Sequence, residues 1–234
     1  MTMTSHQFPE YLIQRTVGYD LLRRLLIEEP TPALLNFLQQ QDLATLFPAI
    51  ADANFSSALE RVQHALAGEP FITGDSAFEN LHWDFTRLFI GPETPPAPPW
   101  ESVYVSRDKL LFQRCTQEVK QVYQSCGLTM SDDDGEAPDH IGFELDFLYQ
   151  QRQSVAEALH SGASLQSVML SLLRQRDFLQ QHTLAFCDAF SHNVKTHAET
   201  DFYCGIAQLL PVFLTHDAQQ LNQVVGMETV QATS

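Results

Sequence analysis

Residues Trp83–Tyr104 read WDFTRLFIGPETPPAPPWESVY, and this stretch sets the fold class. Up to Ile90 it continues a helical pattern that begins near Asp75, with Phe78, Leu81, Trp83, Phe85, Leu88 and Phe89 as the apolar residues. Gly91-Pro92 stops that helix, because proline lacks the amide donor and its ring clashes with the preceding turn. Five of the chain's 12 prolines then fall between Gly91 and Pro99, and the run ends in Trp100, Glu101 and Tyr104. A proline connector loses little entropy on ordering, so it can hold such side chains in place.

Helical patterns extend in both directions from this connector. On the N-terminal side, Tyr11, Leu12, Arg15, Tyr19, Leu22 and Leu26 recur at helical spacing before Pro30 and Pro32. TPALLNFLQQ and DLATLFPAI read as two short helices, and SSALERVQHALAG as a helix stopped at Gly68. On the C-terminal side, helices are expected over Arg107–Ser125, Asp139–His160, Leu165–Phe190 and Glu199–Thr215, with Asp139 as N-cap and a frayed tail of about a dozen residues. No strand alternation or hairpin signal appears. The expectation is a single all-α domain over residues 1–234, a globular bundle of roughly nine or ten helices.

Composition narrows the function. The 234 residues are 44% hydrophobic, enough for one large core. A net charge of −16 argues against nucleic acid and favours basic partners. The start, MTMTSHQFPE, has neither a basic nor an apolar signal region, so no secretory leader is expected. No apolar run reaches membrane-span length, so no stable membrane insertion is expected. Cys115, Cys126, Cys187 and Cys204 form no CxxC and no zinc pattern. They read as reduced, buried thiols of a cytoplasmic protein.

Catalytic motifs are missing: there is no phosphate loop, nucleophile elbow, dinucleotide fingerprint or HExxH. His140 and Glu144 stand four apart on one helical face, a spacing two metal ligands could use, but no third ligand suggests itself. The expectation is therefore no catalytic residue, no metal and no cofactor. SDDDGE, Ser131 to Glu136, reads as a solvated acidic loop, since its acids do not follow the spacing of a calcium loop. Phe85, Leu88 and Phe89 also read as ordinary core, which is the favoured reading for Leu88 and Phe89. Trp100, Glu101 and Tyr104 follow a loop rather than a helix stripe. In PDHIGFELDFL, Pro138 to Leu148, Asp139 is either a cap alone or a cap and a binding group, and His140 and Glu144 edge the apolar face of the helix.

Taken together, DFTRLFIGP, PPWESVY, the Leu111-Phe112 pair, PDH and ELDFL resemble, in order and spacing, the TorD/DmsD family of cytoplasmic chaperones for molybdenum-containing respiratory oxidoreductases. The late DFYCGIAQLL is similar to that family's last helix, and PPW favours the DmsD-like branch. The resemblance implies an all-helical TorD-like fold and no enzymatic activity. It also implies binding of a partner apo-enzyme before export, often through its twin-arginine leader, with dimers in some members. Guanine nucleotide binding has been proposed for some members, but this chain carries no nucleotide motif. The resemblance places peptide binding on Phe85, Leu88, Phe89, Asp139 and His140. Phe85 stands where the DmsD-like branch often has Trp.

The residues themselves fit such a ligand. A leader offers two guanidinium groups followed by an apolar stretch. Phe85, Trp100 and Tyr104 could wall a groove for it, and Glu101, Asp139 and Glu144 could form a carboxylate rim. Two other readings compete: a helical adaptor for another cytoplasmic protein, and a metal-assisted hydrolase built on His140 and Glu144.

Overall fold

Helix α1, Gln7–Ile27, ends where Pro30 and Pro32 interrupt the chain. Thr31 caps α2, Pro32–Gln39, by accepting the Leu34 amide at 3.2 Å, with Pro32 at the first helical position where its missing donor costs nothing. The expected second short helix is a single 3-10 turn, Leu43–Leu46. Asp52 caps α3, Ala53–Ala65, through the Asn54 and Phe55 amides at 2.7 and 3.1 Å.

Then follow α4, Ser76–Phe85; α5, Glu101–Val105; α6, Arg114–Ser125; α7, Ile141–His160; α8, Leu165–Phe178; α9, Leu184–His197; and α10, Asp201–Gln231. Two π-turns interrupt the regular pattern. Thr86–Ile90 extends α4, and Leu179–Thr183 joins α8 to α9. This computed structural model describes residues 7–91, 94–108, 110–129, 136–160, 162 and 164–231. Among them there is no strand, only one isolated antiparallel bridge, Trp100 to His140. The all-α expectation holds.

The core is built on α1 against α7 and on α10 against α3 and α9. Tyr19, Phe47, Phe55 and Phe213 meet edge to face, with ring centroids 5.0–5.6 Å apart. Within this apolar body lies one ionic knot. Arg15 of α1 donates to both carboxylate oxygens of Asp217 in α10 and to Gln175 Oε1 of α8 at 2.8 Å. The Tyr11 and Tyr19 hydroxyls also donate to Asp217. Arg152 of α7 donates to the Leu12 carbonyl. The first and last long helices are thereby stapled through a charge pair that is almost fully buried.

Two sequence expectations change here. Arg107–Ser125 is not one helix: α5 ends at Ser106, whose backbone is extended, and α6 starts only at Arg114. Phe112 between them adopts φ 58°, a left-handed conformation that no helix interior accepts from an aromatic residue. The last helix runs past Thr215 and past Pro211 to Gln231, because Phe213, Leu214, Ala218 and Leu221 keep one face in the core. Of the SDDDGE segment, Ser131–Gly135 lie outside the described residues. No helix among the described residues is long and apolar enough to cross a membrane.

Candidate peptide-binding site

The π-turn after α4 fixes the first group of predicted residues. It ends with the Gly91 amide donating to the Thr86 carbonyl at 2.7 Å, and Gly91 takes φ 57°, which glycine adopts at little steric cost. Phe85, Leu88 and Phe89 all turn inward and are buried. The Phe89 ring stacks on Phe190 at 5.9 Å and meets Tyr203 edge-on at 5.8 Å, while Phe85 meets Phe89 at 5.2 Å. These three are core in this conformation, and Phe85 is not a groove wall. The exposed aromatic of this helix is Trp83. Its neighbour Asp84, which sequence reasoning passed over, is buried. It accepts the Glu199 and Thr200 amides, the Thr200 hydroxyl and Arg87, fixing the turn into α10.

The proline run does not stand out as a free arm. The Ala97 amide donates to the Leu88 carbonyl of the π-turn at 3.2 Å, and Pro95, Ala97, Pro98 and Pro99 are buried. The run delivers Trp100 to His140. There the Ile141 amide donates to the Pro99 carbonyl at 2.7 Å and the Glu101 amide to the Asp139 carbonyl at 2.9 Å. Two motifs far apart in sequence are thus joined through their backbones.

Asp139 is a cap, but of the other helix. Its Oδ2 accepts the Ser102 amide at 2.8 Å, in the first turn of α5, where Trp100 supplies no side-chain cap. The cap of α7 is His140: its Nδ1 accepts the Gly142 amide at 3.0 Å. Gly142 is required here, since a Cβ would stand 2.5 Å from Ile27 Cγ1 and 3.0 Å from the Ile27 amide nitrogen. An accepting Nδ1 makes His140 a neutral imidazole, in agreement with burial, which pulls its pKa down to about 4. The ring is edge-on to Trp100 at 6.2 Å.

The expected carboxylate rim lies beneath the surface. Glu101, Asp139 and Glu144 are 2%, 0% and 0% exposed. Glu101 Oε2 is 3.1 Å from Nδ1 of His182, in the second π-turn. Glu144 stands beside Glu101 and Thr183, and its carboxyl is pushed well above the usual range, first by burial and then by the charge of Glu101. The physical reason is local: Glu101 at the start of α5 and Thr183 of the second π-turn stand beside Glu144, so the edge of the α7 stripe is covered there.

What reaches solvent is aromatic. Trp100 is half-buried and donates from Nε1 to Glu136 at 2.6 Å. Tyr104 packs on Phe186 at 5.7 Å, and its hydroxyl accepts from Asn193 at 3.3 Å. Burial pushes the Tyr104 phenol up to about 12. Next to them Val105, Leu110, Leu111 and Phe112 are exposed.

The structure thus brings together Trp100, Glu101, Asp139, His140 and Glu144, with Tyr104 on the α9 side. It leaves Phe85, Leu88 and Phe89 behind them in the core. Sequence reasoning missed Glu136, His182 and Thr183. No local signal marks His182, which lies 81 positions from Glu101. Among the described residues no group of three or more His, Cys, Asp or Glu is placed to hold a metal ion. A cleft of about 530 Å³ opens beside the proline run, lined by Trp83, Thr86, Arg87, Pro95, Pro96 and Glu199. A larger one of about 880 Å³ lies between α1 and α10, and none of the predicted residues lines it. The smaller cleft adjoins α4 and the proline run, and none of Trp100, Tyr104, Asp139 and His140 lines it.

His140 carries a pH prediction. Its folded pKa, about 4, lies below its unfolded value, about 6.5, so the unfolded chain binds more protons between the two. The stability it contributes is complete above about pH 6.5 and is lost as pH falls toward 4. Glu144, raised in the fold, acts in the opposite sense and loses its contribution as pH rises. We expect His140→Asn, which keeps an acceptor for the Gly142 amide, to lose less stability than wild type between pH 7 and pH 5, by on the order of 2 kcal/mol. Thermal melts at the two pH values check this; parallel losses in both proteins contradict it.

Comparison with known proteins adds a second line of observation. Residues 51–192 match the family model described as nitrate reductase delta subunit, and this range contains every residue of the cluster. Several curated proteins named Chaperone protein TorD are similar to the chain. One from Vibrio cholerae serotype O1 is 28% identical over 142 residues, 61% of this chain and 62% of that protein. One from Vibrio atlanticus is 29% identical over 185 residues, 76% and 75% of the two chains. One from Psychrobacter sp. is 25% identical over 226 residues, 96% and 99% of the two. The match to the Vibrio cholerae protein spans less than two thirds of that relative's length.

Proposed function

The chain belongs to the nitrate reductase delta subunit family, the family of the TorD chaperones, and from that premise we propose that it is a non-enzymatic chaperone of redox-enzyme maturation. It binds the twin-arginine leader, the apo form, or both, of a molybdenum-containing respiratory oxidoreductase in the cytoplasm, before export. The reading does not depend on the DmsD-like branch, since the relatives above carry the TorD name.

One observation carries the proposal: the junction of PPWESVY with PDH. There two backbone hydrogen bonds lock the motifs together. The half-buried Trp100 and Tyr104 lie above three buried carboxyls, next to exposed Val105, Leu110, Leu111 and Phe112. An apolar, aromatic lip with acids directly beneath it complements a segment that carries arginines and then apolar residues. The chain's net charge of −16 speeds the encounter.

The test is a fluorescence titration of a labelled leader peptide in two forms. The Arg–Arg peptide binds, and more weakly as salt rises, because exposed charges are screened while apolar contact is not. The Lys–Lys peptide keeps the charge but loses the planar fork, and binds at least about tenfold more weakly. Equal affinity for the two peptides contradicts guanidinium recognition.

A further inference from the structure

Near the start of α5 several buried polar atoms make no hydrogen bond of normal geometry within the chain: Ser102 Oγ, Asp139 Oδ1, Thr183 Oγ1 and both carboxyl oxygens of Glu144, although Thr183 and Glu101 stand within reach of Glu144. They belong to one neighbourhood. Ser102 is held by Asp139 through its amide, and Glu144 stands beside Glu101, Thr183 and Asp139. All four residues carrying these atoms are fully buried. Buried polar atoms are normally paired, and leaving one unpaired is costly, so five in one place call for an explanation.

The chemistry is one-sided. Three carboxyls meet here, and the donors that the chain sets against them are few: the His182 imidazole on Glu101, the Ser102 amide on Asp139 and the Thr183 hydroxyl beside Glu144. A set of separated oxygen acceptors with few donors of its own fits a planar cation with several donors, and a guanidinium is that group. His140 and His182, beside the cluster, are each 6% exposed.

Resting on the leader-binding reading, we propose that this cluster is an internal receptor for one arginine side chain of the leader, and that seating the guanidinium expels one proton from the Glu101–Glu144 pair. Two carboxyls this close in a buried site do not both ionise. In the free protein Glu144 keeps its proton, held there by burial and by Glu101. When a guanidinium arrives, the Glu144 O–H bond breaks, the carboxylate accepts the guanidinium donors, and the proton leaves to solvent past the histidines. The other titratable groups facing the pair do not supply it. Cys115 and Tyr123 of α6 and Cys187 of α9 are held protonated by burial, and His140 is held neutral. Asp139 is engaged through Oδ2 by the Ser102 amide. His182, on Glu101, is the one competing source.

The experiment is calorimetric titration of the full chain with the Arg–Arg leader peptide, in phosphate and in Tris at pH 7. The buffers' different ionisation enthalpies give the number of protons exchanged. We expect release of about one proton, with affinity rising by up to about tenfold per pH unit below the free pair's pKa. We expect that release to vanish in Glu144→Gln and to persist in His182→Asn. Tight binding without proton release, or release that survives in Glu144→Gln and disappears in His182→Asn, overturns the inference and leaves leader binding intact. Failure of wild type to bind the peptide overturns both. The wild-type proton count stands even where a variant fails to fold.

Discussion

Asp217→Ala is expected to lose on the order of 3–5 kcal/mol of stability, the largest effect of any single change argued from this fold. Asp217 takes hydrogen bonds from Arg15, Tyr11 and Tyr19, and both it and Arg15 are almost fully inaccessible. Removing it leaves a buried guanidinium with Gln175 as its remaining partner and frees two phenols from their acceptor. An uncompensated buried charge costs far more than the ion pair itself contributes, because the Coulombic gain of a buried pair is largely offset by desolvation. For a chain of this size the melting temperature should fall by roughly 10 °C or more. The double change Arg15→Leu with Asp217→Leu should recover much of that loss, since it removes the stranded charge. A single variant as stable as wild type contradicts the assignment of this knot as the staple between α1 and α10.

The second large effect concerns Asp139, and two substitutions separate its roles. Asp139→Asn retains an acceptor for the Ser102 amide, and asparagine caps about as well as aspartate, so stability should stay within about 0.5 kcal/mol of wild type. Asp139→Ala removes the acceptor from a fully buried amide and should cost about 1–3 kcal/mol. Leader affinity should fall in both, by about tenfold or more in Asp139→Asn, because its unpartnered oxygen no longer carries charge toward the peptide. The alanine variant should fall further, since α5 and with it Trp100 and Tyr104 lose their anchor. Unchanged affinity in Asp139→Asn, at unchanged stability, reduces this residue to a cap.

The helices were legible because their signals are local: apolar spacing, Pro32 at a start, Gly91 and Gly127 at ends. The partners across the fold were not. Arg15 sits on the apolar stripe of α1, a position that already hints at a buried ion pair. Asp217, however, lies in a stretch that reads as the approach to a frayed tail, because Pro211 hides the continuity of α10. Asp139 announces a cap, and it is one. Which helix it caps depends on the backbone register with Pro99 and Glu101, and no local pattern encodes that. The carboxylates sit deeper than the rim expected of them for a related reason. Periodicity places Glu144 on the edge of the α7 stripe but does not see Glu101 and Thr183 standing beside it. The aromatic lip at Trp100 and Tyr104 was readable from the chain, and the acids and His182 beneath it were readable only from the fold.

The most direct test of the chaperone reading is capture by the purified full chain of an apo-oxidoreductase of the molybdenum class from the same organism, with and without its twin-arginine leader. The account predicts a stable complex with the leader-bearing apo-enzyme that weakens at least about tenfold when the leader is removed, and that weakens likewise when Asp139→Asn is used in place of wild type. No complex with either form, or equal capture of a mature, cofactor-loaded enzyme, contradicts it.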